Sequence, residues 1–95
     1  MRAVVRRYSG PGASQIFDEL ERNRAEIEKV IRGVPGFVAY TLAHTGDGGV
    51  SVTVCRDKAA ADESLRVAAD WVRQNTTATA SPPQVSDGDV ILQLS

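Results

Sequence analysis

An α+β fold, with a four-stranded antiparallel sheet and two helices on one face, follows from three features of this 95-residue chain. Short β-branched and apolar segments lie near its start, middle and end. Two longer segments carry apolar residues at helical spacing, and glycine and proline clusters mark each change of period.

Taken in order, Ala3–Ser9 (AVVRRYS) is apolar, β-branched and aromatic, and Gly10-Pro11-Gly12 ends it in a turn. It reads as a first strand. From Ser14 to Arg32 the residues Ile16, Leu20, Ile27, Ile31 and Val34 share one helical face, while Glu19, Glu21, Arg22, Glu26, Glu28 and Lys29 lie mostly off it. One amphipathic helix is expected, with Ser14 able to accept from the first-turn amides. Gly33 ends it and Pro35-Gly36 prevents a restart. Phe37–Thr45 and Val50–Arg56 are strands around Gly46-Asp47-Gly48-Gly49, a sequence suited to a tight hairpin. Asp57 caps a second helix over Lys58–Asn75, with Ala61, Leu65, Ala68 and Val72 as its buried stripe. Thr76–Asp87 (TTATASPPQVSD) has the composition of a long irregular connection that would rim or cover a pocket. Asp89–Leu94 (DVILQL) reads as the closing strand. The order β-α-β-β-α-β, wound with right-handed crossovers, gives the ferredoxin-like arrangement in a single domain spanning residues 1–95.

Composition removes several function classes. Hydrophobic residues at 42% and charged residues at 24% suit a soluble globular chain. A net charge of −1, with arginines scattered among carboxylates, gives no drive toward nucleic acid or an acidic membrane surface. The start, MRAVVRRYSG, is too short in apolar residues for a signal peptide or a membrane helix, so a cytoplasmic location is expected. One cysteine and one histidine exclude an intramolecular disulfide and the usual zinc ligand sets; no metal and no cofactor is expected.

That histidine and cysteine, His44 and Cys55, flank the hairpin turn. A catalytic pair would need them in hydrogen-bond contact, and the strand geometry separates them by several residues. An inert thiol and a rim histidine are expected. Gly10-Pro11-Gly12 lacks the Gly-Lys-Ser/Thr of a phosphate loop and reads as a turn. The strand Phe37–Ala43 is apolar on both faces in either hairpin register. With an even loop, Phe37, Ala39 and Thr41 share a face with Val50, Val52 and Val54, opposite Val38, Tyr40, Leu42 and His44 with Ser51, Thr53 and Cys55; an odd loop would put Tyr40 and Leu42 beside the valines. Two helices cover one face only, so a second copy of the chain is expected on the other, making a homodimer.

The strings RAVVRRYSGPGASQIFDEL, VPGFVAYTLAHTGDGGVSVTV and DKAAADESLRVAADWV resemble the dimeric α+β barrel superfamily. Within it they are most similar to small proteins of the antibiotic biosynthesis monooxygenase (ABM) type. Strand–Pro-Gly–helix and Val34-Pro35-Gly36-Phe37 carry the likeness, and both report fold more than chemistry. The resemblance implies a small apolar pocket between helices and sheet. Haem-degrading members use an Asn on the first strand and a His beyond a helical Trp; here Arg6 and Arg7 stand on that strand and no His follows Trp71. Haem degradation is therefore disfavoured. Members that oxidise phenols without a cofactor use Trp, Arg, Tyr and Asn. By residue type alone, the pocket candidates are Trp71, Tyr8, Arg7 (or Arg6) and Tyr40. Trp71 lies about 100° round the helix from Val72, as either a plug at the core edge or a pocket wall. Three functions follow: a dimeric barrel binding a small apolar or aromatic molecule, a cofactor-independent monooxygenase-like enzyme on a phenolic substrate, or a regulatory dimerisation module.

Overall fold

The structure, a computed structural model, describes residues 1–76 and 81–94. Its elements are β1 (Arg2–Ser9), α1 (Ala13–Arg22), α2 (Arg24–Arg32), β2 (Phe37–Thr45), β3 (Gly48–Cys55), α3 (Lys58–Asn75) and β4 (Gln84–Asp89). The strands form one antiparallel sheet in the order β2-β3-β1-β4, the ferredoxin-like topology, with the helices on one face. Among the described residues no helix is long and apolar enough to cross a membrane.

The long first helix expected over Ser14–Arg32 is two helices. Asn23 ends α1 because its side-chain Nδ2 donates to the Glu19 carbonyl at 2.7 Å, competing with the helical ladder. Its backbone leaves the helical region at φ −112°, and its own carbonyl starts α2 by accepting from Glu26 and Ile27. Nor does Ser14 cap α1. Gly10 and Gly12 both adopt positive φ, near 85° and 87°, and the helix starts directly from that turn at Ala13. In α3, Asp57 does cap, accepting from the Ala60 amide at 2.9 Å. Its buried stripe differs from the expected one: Ala60, Ala61, Ser64 and Trp71 are buried, and Leu65, Ala68 and Val72 are only partly so. Small side chains at the helix start bring it close to the sheet. Ser64 is tolerated there because its hydroxyl donates to the Ala61 carbonyl at 2.7 Å.

The hairpin takes the even register, with Thr45 opposite Gly48 across the two-residue turn Gly46-Asp47. Tyr40 then faces Thr53, Leu42 faces Ser51 and His44 faces Gly49. A bulge between Phe37 and Ala39 exposes Val38 and swings Phe37 to the helix side, opposite Cys55. The helix-facing surface of β3, Gly49, Ser51, Thr53 and Cys55, is fully buried. Gly49 is needed there because the Phe17 ring occupies the space of any Cβ. The open face carries Val5, Val50, Val52, Ala39 and Thr41.

The closing strand lies earlier than expected. Gln84–Asp89 pairs with β1, and Arg2 bridges Asp87 and Asp89 at 3.0 Å each. The apolar run after it makes one strand-like bond, Val90 amide to Met1 carbonyl, and Ile91 is 98% exposed. Pairing with β1 selected the segment whose carboxylates meet Arg2, rather than the more apolar one. The connection expected over Thr76–Asp87 is therefore shorter, since Gln84–Asp87 is strand. Residues 77–80 of the expected lid lie outside the described residues, and its last part, Gln84–Asp87, is paired strand rather than lid.

Candidate functional site

Strand alternation assembles the site. Val4, Arg6 and Tyr8 point from β1 toward the helices, and so do Ser51 from β3 and Tyr40 and Leu42 from β2. Arg6 lies directly opposite Ser51. From the helix layer Trp71, Ile27, Ile31 and Phe17 close over them. Between the layers lies a void of about 20 Å³, room for roughly one water molecule. Ile27, Ile31, Tyr40 and Leu42 also line a cleft of about 280 Å³ that separates α2 from β2.

Arg6 is 7% exposed, an unusual place for a guanidinium. It donates to the Tyr8 hydroxyl, and its charged carbon lies 5.3 Å from the centroid of the same ring. Tyr8 in turn meets Phe17 edge-on at 5.5 Å. Burial pushes the phenols of both Tyr8 and Tyr40 above the ordinary tyrosine range, and Arg6 only partly opposes this. Both are therefore proton donors at neutral pH. Trp71, also 7% exposed, donates its indole N–H to Glu26 Oε1 at 3.0 Å, joining α3 to α2 with the ring as a flat wall of the void. It sits in the middle of the buried stripe and is core residue and pocket wall at once.

Of the sequence candidates, Trp71, Tyr8 and Tyr40 meet at this void. Arg7 is exposed on the opposite face of β1, next to Val50 and Gln84, and Arg6 takes the inward position. Ser51 and Phe17 were not anticipated; the inward parity set by Tyr40 identifies Ser51, whereas Phe17 adjoins Ile16 in the same apolar stripe. His44 and Cys55 are far apart on the hairpin. Cys55 lies opposite Phe37, wholly buried, with its thiol pushed up by burial. His44 lies at the other end, its Nε2 3.4 Å from both Asp18 and Glu21 carboxylates, outside the void. Among the described residues no group of three His, Cys, Asp or Glu could hold a metal ion. The void thus combines one cation, neutral hydroxyls and a flat aromatic wall. It can orient an aromatic molecule and stabilise negative charge on an oxygen. It holds no activated nucleophile.

No family model matches the chain, and no curated protein matches its sequence. Solved structures do match over almost its whole length. A protein of unknown function from Nitrosomonas europaea, NE2512, superposes with a TM-score of 0.72 at 18% identity, covering 99% of this chain and 91% of that one. The ActVA-Orf6 monooxygenase of Streptomyces coelicolor, solved with nanaomycin D, gives 0.65 at 20% identity, covering 99% and 89%. The haem degrader MhuD of Mycobacterium tuberculosis, solved with two haems in its active site, gives 0.66 at 18% identity and covers 100% of both chains. At such identities the likeness establishes the α+β fold shared with these structures and leaves the chemistry to the site.

Proposed function

We propose that this chain is a homodimeric protein that binds a small, flat aromatic molecule between its sheet and its helices. The observation that carries the reading is the void walled by Trp71, Tyr8 and Tyr40, with Arg6 and Ser51 buried at its floor. Pure assembly modules fill such a layer with apolar side chains. A buried guanidinium beside hydroxyls is costly to keep unless it serves recognition. That a similar fold holds nanaomycin D in a monooxygenase supports an aromatic ligand. The free protein leaves room near Arg6 for little more than a water, so the rings occupy the α2–β2 cleft and α2 yields slightly to admit them.

Thermal unfolding with added naphthol, menadione and haem tests this, because a ligand of the native state raises the melting temperature by mass action. Naphthol or menadione should raise it, and haem should not, since the first strand lacks the Asn of haem-degrading relatives. Trp71→Ala should cost about 3 kcal/mol or more in stability and abolish the ligand shift. No shift with any aromatic compound in the unmodified protein would overturn the proposal.

A second reading, a cofactor-independent oxygenase acting on a phenol, draws on the monooxygenase likeness and on Arg6, which would stabilise an ionised phenol. It lacks a base in the void. Oxygen uptake on adding a dihydroxynaphthalene, lost in Tyr40→Phe or Arg6→Met, would favour it over simple binding.

A further inference from the structure

Among the described residues, Arg6 is a buried cation without a counter-ion. Ion pairs among the described residues engage Arg2, Arg32, Arg66, Arg73, Lys58 and His44, and none engages Arg6. The other arginines that lack an ion pair, Arg7, Arg22, Arg24 and Arg56, are exposed to water; Arg6 is not. Its hydrogen-bonding partner is the Tyr8 hydroxyl, and its side chain lines the void. Tyr8 and Tyr40 supply no negative charge, since burial keeps both protonated. Glu26, on α2, is engaged with the Trp71 indole. The ring of Tyr8 compensates the charge only in part.

We propose that the ligand is an aromatic monocarboxylate whose carboxylate is buried against Arg6 while its rings lie in the cleft between α2 and β2. The inference rests on the binding role argued above and narrows it to an anion. Size and charge agree. The void of about 20 Å³ beside Arg6 admits a small group and not a ring, whereas the cleft of about 280 Å³ admits a bicyclic system. A guanidinium fork matches the two oxygens of a carboxylate, and burial strengthens the pairing. Ser51, opposite Arg6 on β3, and Tyr40, which hydrogen-bonds with it, line the same void. Tyr40 and Phe37 line that cleft and supply flat surfaces for the rings.

Isothermal titration of the unmodified protein with naphthoate and with its neutral isostere naphthamide, at neutral pH, separates this proposal from the broader one. Naphthoate should bind tighter by roughly tenfold or more, the difference expected for a charge-assisted pair. Arg6→Met should remove that preference, the ratio of the two affinities falling to about one; Arg6→Lys should keep part of it. Equal or tighter binding of naphthamide by the unmodified protein overturns the anion proposal and leaves the aromatic pocket standing. Binding of neither compound overturns both. A preference that survives in Arg6→Met shows that another group holds the carboxylate, and it too overturns the proposal. Should Arg6→Met fail to fold, the ratio in the unmodified protein and in Arg6→Lys still decides.

Discussion

Arg6 and Arg7 are neighbours in the chain and meet opposite environments. Side chains alternate along a strand, so a pocket that uses Tyr8 can use Arg6 from the same strand and cannot use Arg7. The parity was available in the sequence; the choice of face was not, because it depended on the hairpin register that sends Tyr40 inward. Burial has a measurable consequence here. Tyr8 and Tyr40 are held protonated in the native state and titrate normally when unfolded, so the native state binds those protons more tightly. Their contribution is fully present below the ordinary tyrosine value of about 10 and is lost as pH rises through the raised native values. Cys55 adds a similar loss that begins near the ordinary thiol value. The urea midpoint should fall as pH is raised from neutral toward about 11, and the double variant Tyr8→Phe, Tyr40→Phe should flatten the upper part of that fall. An unchanged slope in the double variant would show that the two phenols are not buried.

At the level of elements, apolar spacing located β1, the hairpin and α3, and misplaced the two features decided by polar side chains. The stretch from Ile16 to Ile31 keeps helical periodicity on both sides of Asn23, so the break is invisible to a count of apolar residues. It comes from one side-chain amide reaching the Glu19 carbonyl. Likewise β4 is less apolar than the run that follows it, and its register is held by Arg2 between Asp87 and Asp89. Arg2→Met should accelerate amide exchange across Gln84–Asp89 while leaving β2 and β3 protected. Equal exchange in both proteins would mean that the backbone ladder alone sets the register.

For the whole molecule, the open sheet face is the feature a single copy leaves unexplained. Val5, Val50 and Val52 lie side by side there, and the helices all pack on the other side. A homodimer formed face to face should bury more than about 1,200 Å² in total. Light scattering should give twice the mass of one chain, and Val52→Asp should halve it. Tyr40 and Leu42 point toward the helices instead, so Tyr40→Asp and Leu42→Asp should unfold the protomer rather than separate the dimer. A monomer mass for the unmodified protein would refute the face-to-face arrangement.

The sequence by itself determined the order of elements, the turn positions, the Asp57 cap and the absence of a His44–Cys55 pair, because periodicity, turn chemistry and capping act over a few residues. Tertiary structure decided which arginine is buried, where the first helix breaks, which segment closes the sheet and that Trp71 is central rather than marginal. Each of those depended on a partner distant in the chain or on a polar group competing with the backbone: Ser51 and Tyr40 for Arg6, Asp87 and Asp89 for Arg2, Glu26 for Trp71. Local pattern carries no record of such pairings, since they exist only once the strands have taken their register.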